Sequence, residues 1–115
     1  MVASYVPDTG DIVFLDFDPQ VGREQAKRRP VLVLTDYRYN RACCLAVVCP
    51  LTSKVKPYPF ALPVTIGEVE GAVLVDQIKS LDWSGRGAEF HSKAPAFLVS
   101  KVRQYIAVLL QIPAK

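Results

Sequence analysis

Prolines cut this chain into pieces too short for a bundle of long helices. Nine of them are spread over 115 residues, and the apolar side chains between them gather in short runs such as 12–15, 31–34 and 72–75. Those runs are rich in β-branched and aromatic residues, which pack well on a pleated sheet. Residues 11–18 read as a first strand ended by Pro19, 31–34 as a central strand apolar on both faces, and 44–49 as a third strand stopped by Pro50. Residues 60–66 read as a fourth strand, bent near Pro63. Residues 67–71 then turn the chain into a strand over 72–75, 78–81 form another short strand, and 83–87 turn again. Asp36 suits the cap of a single helical turn over 36–41. Pro95 suits the first turn of a helix in which Leu98, Val102, Tyr105 and Leu109 recur at helical spacing. Val99, Ile106 and Leu110 widen that stripe beyond what one core needs, which points to a subunit contact; 106–112 also reads as a strand. The expected fold is mainly β: a small curved barrel of antiparallel strands with one C-terminal α-helix, in a single domain over 1–115.

Composition narrows the functional classes. Half of the residues are hydrophobic, enough to fill one core at this length. No apolar run approaches the roughly twenty residues of a membrane span, and Met-Val-Ala-Ser-Tyr does not read as a signal peptide, so a cytoplasmic location without membrane contact is expected. Cys43, Cys44 and Cys49 are an odd set in one apolar run, which argues for buried free thiols and against a disulfide framework. With His91 as the single histidine and no Cys-x-x-Cys, no metal site and no cofactor are expected.

The stretch 16–30 is long and charged, and it joins two apolar runs; a connection of that size in a small domain tends to carry function. It also marks a change of sign. Residues 1–22 hold four acids and no Lys or Arg, whereas 23–56 hold eight bases against Glu24 and Asp36. The local surplus of six is twice the chain's net charge of +3, so acids elsewhere conceal a basic site suited to an anionic partner.

The chain has no Walker-type phosphate loop, no G-x-S-x-G and no paired histidines. His91 reads as a surface residue in a hydrophilic turn. What remains is Arg, Lys, Thr, Ser, Glu and Asp on loops, an inventory that suits a substrate bringing its own nucleophile. RNA does so: its 2′-OH can attack the adjacent phosphorus if the protein aligns it, stabilises the charge and manages two protons. Arg29 offers a planar, permanently charged clamp for phosphate oxygens, with Arg28 beside it. Thr52 can give a second hydrogen bond, helped by Ser53, and Glu24 is the candidate carboxylate base. Lys54 and Lys56 can position phosphates, and Tyr58 or Phe60 can stack a base. Read from the residues alone, Arg28 and Arg29 are more readily a solvated pair flanking a strand, and Thr52 a turn former after Pro50; the resemblance below reverses this for Arg29 and Thr52.

Six segments occur in order: Gly10-Asp-Ile-Val, Asp16-Phe-Asp-Pro19, Gly22-x-Glu-Gln25, Arg29-Pro-Val-Leu-Val-Leu34, Pro50-Leu-Thr-Ser53 and Val75-Asp-Gln-Ile-Lys-Ser80. The set resembles the MazF/PemK-type toxins of bacterial type II toxin–antitoxin systems, over nearly the whole chain from Tyr5 onward. The resemblance implies a homodimeric SH3-like barrel of the CcdB/PemK type. It implies a metal-independent endoribonuclease that cuts single-stranded RNA, chiefly messenger RNA, at short sequences and arrests growth. It further implies a small MazE-like antitoxin whose tail lies in the dimer groove. Arg29 and Thr52 match the catalytic pair of the family, and Glu24 matches an acidic residue implicated in activity. Asp16, Phe17, Gln25 and Lys56 match positions that contact RNA, as do Gln77, Lys79 and Arg86. The pattern departs at Lys27, where relatives often carry glycine. Two other readings stand beside this one: a non-enzymatic gyrase-binding poison of the CcdB type, which the ending Gln111-Ile-Pro-Ala-Lys115 argues against, and a plain SH3-like binding module.

Overall fold

The computed structural model describes residues 5–16, 28–54, 57–67 and 69–113. Within them the order is β1 (Asp11–Asp16), β2 (Arg28–Val33), α1 (Tyr37–Cys43), β3 (Ala46–Thr52), β4 (Ala61–Ile66), β5 (Val69–Leu74), β6 (Lys79–Leu81), β7 (Glu89–Lys93) and α2 (Ala96–Leu110), with a 3₁₀ turn at Val75–Gln77. The strands form one curled antiparallel sheet, a half-barrel in the order β4-β5-β3-β2-β1-β7, with β6 added to β3.

Alternation along the central strands divides the core in two. Ile12, Leu32, Cys49 and Val73 face α2 and pack on its Leu98, Val99 and Val102. Val13, Leu15, Val31, Val33 and Val48 face the other way, onto Trp83, with Tyr5 and Val6 against them. Covered on both faces, Val31, Leu32 and Val33 have no exposed surface at all. The two-sided apolar run in the sequence has that meaning.

Prolines sit where a missing N–H does no harm, though not always where the sequence places them. Pro50 does not stop β3; it lies inside it, opposite Val31. On its other side β3 pairs with β6 through Ala46–Val48 and with β5 through Leu51 and Thr52, so Pro50 falls in the gap between two ladders. Pro63 bends nothing, because β4 pairs with β5 without a register break from Ala61↔Leu74 to Ile66↔Val69, and β4 is an edge strand. The hairpin turns at Gly67 (φ +62°), and Gly71 lies within β5 rather than in a turn.

Asp36 caps α1 as expected, its carboxylate accepting from the Tyr39 N–H at 3.1 Å. The helix runs further than one turn and ends at Cys44, which takes a left-handed conformation. That ending leaves Cys43 and Cys44 exposed, so only Cys49 of the three thiols is buried. Pro95 precedes α2 as its cap residue, and 106–110 continue the helix instead of forming a strand. Phe97, Val108, Leu110 and Ile112 remain exposed on or beside it. No helix among the described residues is long and apolar enough to cross a membrane.

Two buried polar residues tie the ends of the chain to this sheet. Asn40 donates to the carbonyls of Pro7 (2.8 Å) and Thr35 (2.9 Å), accepts from the Thr35 hydroxyl (2.6 Å), and its own carbonyl accepts from the Trp83 indole (3.1 Å). Asp11 accepts from the Tyr5 hydroxyl, the Asp8 N–H (3.0 Å) and Lys93 (2.8 Å). Burial, then the hydrogen bond to Asp11, holds the Tyr5 proton far more tightly than usual.

Two outcomes are expected. Asn40→Ala removes one partner from three buried groups and should cost about 2–4 kcal/mol in a denaturant melt, with Trp83 fluorescence following the transition. Burial, reinforced by Asp76, pushes the Cys49 thiol up to about 12, so at pH 8 a thiol reagent should titrate Cys43 and Cys44 and reach Cys49 only after unfolding. The same raised values mean that the stability supplied by protonated Cys49 and Tyr5 is complete below their ordinary ranges and is lost as pH climbs above them.

Candidate functional site

A cleft of about 550 Å³ opens across the sheet. Its floor is Ile12, Phe14, Pro30 and Leu51, one end is Val64 and Ile66 of β4, and the other is His91 of β7. Arg28, Arg29, Thr52, Ser53 and Lys54 line its middle.

Arg29 and Thr52, 23 positions apart in the sequence, line the same cleft from neighbouring strands. β2 and β3 pair as Val31↔Pro50, Leu32↔Cys49 and Val33↔Val48; beyond Pro50, β3 passes to β5 through Leu51 and Thr52, while Arg29 pairs with Leu15 of β1. Thr52 is only partly exposed, and its hydroxyl oxygen accepts from the Lys54 N–H at 3.0 Å. The turn-forming reading is met by this bond, in a side chain that also lines the cleft. That bond fixes the hydroxyl at the cleft wall, and its proton goes to the Lys54 carbonyl over a long 3.5 Å, a contact that a closer ligand oxygen would displace.

Gly71 is the unforeseen member of this wall. A Cβ built on it would lie 2.3 Å from the carbonyl oxygen of Thr52, inside any tolerable contact, so only glycine lets β5 approach this closely. Its signal in the sequence was an isolated glycine ahead of an apolar run, which the turn reading absorbed.

Arg28 is tied into the surrounding frame. Its guanidinium donates to the Asp16 carboxylate (2.9 Å), the carbonyls of Phe14 (3.2 Å) and Gly87 (2.6 Å), and Glu89 (3.3 Å). Arg86 donates to the Asp16 carbonyl at 3.0 Å and to Asp82 at 3.0 Å. Asp16, Arg28 and Arg86, which the sequence places on RNA, thus bind one another and fasten the two residues flanking segment 17–27 to the 82–89 turn. Gln77 and Lys79 are exposed, on the 3₁₀ turn and at the start of β6, outside the cleft lining. Glu24, Phe17, Gln25, Lys27 and Lys56 lie outside the described residues. Among the described residues no group of three His, Cys, Asp or Glu side chains is placed to hold a metal ion.

His91 is not in a turn. It lies on β7, its ring edge-on to Phe14 with centroids 5.5 Å apart, and its Nδ1 is 2.9 Å from the Ser92 hydroxyl. The sequence hid β7 because Glu-Phe-His-Ser-Lys is an edge strand with little buried surface and so lacks a periodic apolar signal.

Gly71→Ala should push the end of β3 away from β5. The expected result is ligand binding or turnover lowered by tenfold or more together with a melting temperature lowered by about 10 °C, because two backbones must part, checked by activity assay and thermal melt.

Comparison with known proteins follows the same outline. Residues 8–110 match the family described as PemK-like, MazF-like toxin of type II toxin–antitoxin system. The endoribonuclease toxin MazF of Escherichia coli K12 is 44% identical over 88 residues, which cover 76% of this chain and 79% of that protein. Among solved structures, MazF from Deinococcus radiodurans superposes with a TM-score of 0.81 at 47% identity, covering 95% of this chain and all of the other. A MazE–MazF complex from the same organism aligns with a TM-score of 0.84 at 40% identity, covering 96% of this chain and the whole matched chain.

Proposed function

The chain belongs to the PemK-like, MazF-like toxin family of type II toxin–antitoxin systems, and from that premise we propose that it is an endoribonuclease cutting single-stranded RNA at short sequences. The observation that supports the reading is that Arg29 and Thr52, from two neighbouring strands, line one cleft.

In the proposed reaction the substrate supplies the nucleophile. The ribose 2′-OH forms a bond to the adjacent phosphorus as the bond to the 5′-oxygen breaks, leaving a 2′,3′-cyclic phosphate and a 5′-OH end. One proton leaves the 2′-OH and one reaches the departing oxygen. Arg29 holds two non-bridging oxygens and answers the charge that grows on them; a fixed cation of this kind stabilises the transition state without reorganising. The Thr52 hydroxyl, already oriented by Lys54, gives a further hydrogen bond, and Ser53 stands beside it. Glu24 is the proposed proton acceptor. No step calls for a metal ion or a cofactor. RNA cleavage is what the names of the E. coli relatives state, and that supports the substrate class.

The active species is proposed to be a homodimer in the cytoplasm, with the exposed apolar residues of α2 (Phe97, Val108, Leu110) available to a subunit contact. A MazE-like antitoxin laid along the dimer groove would occlude the cleft; the MazE–MazF complexes of D. radiodurans support such a partner.

The experiment is incubation of purified protein with a long single-stranded transcript in EDTA. Cleavage with 5′-OH ends is expected, and strict dependence on added Mg²⁺ would overturn the mechanism. Arg29→Ala should lower the rate by about 10²–10³-fold or more while the melt moves little, since Arg29 is an exposed residue.

A further inference from the structure

We propose that His91 and Phe14 form a nucleobase subsite at the β7 end of the cleft, taking a base next to the phosphate held between Arg29 and Thr52. The inference rests on the RNA-cleavage reading and adds to it the surface that reads the substrate.

Three observations carry it. The first is a defect in the pairing of β1 with β7. Phe14 pairs with Glu89 and Val13 with Phe90, but Ile12 pairs with Ser92, so His91 is one residue too many for the ladder. A bulge of this kind re-aims a side chain, and here the imidazole comes to rest against the Phe14 ring, lining the cleft. The second is posture. The two rings meet at 77° with His91 exposed and Phe14 half-buried, which makes a corner with one wall open to a flat guest. Ser92 restrains the rotation of the imidazole through Nδ1, and Nε2 is the ring nitrogen directed elsewhere.

The third is the division of chemistry along the cleft. Its middle holds cationic and hydroxyl groups suited to phosphate, its β4 end is aliphatic, and its β7 end is aromatic. β7 is two strands from β2, about 10 Å at the usual strand spacing, within reach of a nucleotide adjoining the phosphate on Arg29. Stacking on an aromatic wall accepts any base, whereas a hydrogen bond from an imidazole edge discriminates among them. The pair therefore supplies affinity through both rings and preference through the imidazole of His91.

The test uses the full chain, a short oligoribonucleotide carrying one mapped cleavage site, and a set of copies in which each base in turn is replaced by an abasic position. For the wild type, one abasic position beside the scissile phosphate should raise KM about tenfold with kcat nearly unchanged. His91→Ala should raise KM by a similar factor on the intact substrate and should lose nothing more at that same position. His91→Phe should restore KM but relax the choice of base. A His91→Ala enzyme with wild-type KM, or one whose loss simply adds to every abasic loss, overturns the subsite while leaving the RNA-cleavage reading intact. A wild-type protein that leaves all these RNAs uncut overturns both.

Discussion

Everything in this molecule is arranged around the pairing of β2 with β3. Its three central residues on β2 are wholly buried, under α2 on one side and under Trp83 and the N-terminal residues on the other. Such a pair has no freedom to slip, because a one-residue shift would carry every apolar side chain to the wrong face. Its outer end inherits that rigidity. Arg29 and Thr52 are polar residues with exposed surface, yet each stands two residues beyond a ladder anchored deep in the core and is itself paired to another strand. Precision at the site is thus a by-product of hydrophobic burial some residues away.

Charge pairing completes the frame. A row of bases such as Arg28-Arg29 would repel itself if both side chains faced the same solvent. Both line the cleft, and the charge of Arg28 is answered there by Asp16, Glu89 and two carbonyls. Exposed ion pairs contribute little to stability singly. Here their value is geometric, since they join the last residue of β1, the first of β2 and the 82–89 turn at one point.

Much of this was legible in the sequence. The short β-branched runs, the two-sided run at 31–34, the Asp36 cap and the helical spacing from Leu98 all have direct structural counterparts. The family pattern named Arg29 and Thr52, and the structure brings both to one cleft. Other features depended on information no local window holds. Pro50 lies within a strand because two different neighbours pair on either side of it, and those neighbours come from distant segments. The partners of Arg28 include residues about sixty positions away. The β7 strand carries too little buried surface to leave a pattern, and with it His91 was misplaced. Gly71 was visible as a glycine, but its reason, a carbonyl from another strand pressed against it, exists only in three dimensions.

The two outer borders of the sheet share a property. Val75 donates to the Phe60 carbonyl, so along β4 the even-numbered residues face β5 and Pro63 faces outward. A proline there removes the central donor from one border, and the extra residue at His91 spoils the spacing of donors along the other. Neither border offers a regular row of amides on which a stranger's backbone could crystallise into register. Both ends of the main strand order are thus poor templates for pairing with a second sheet.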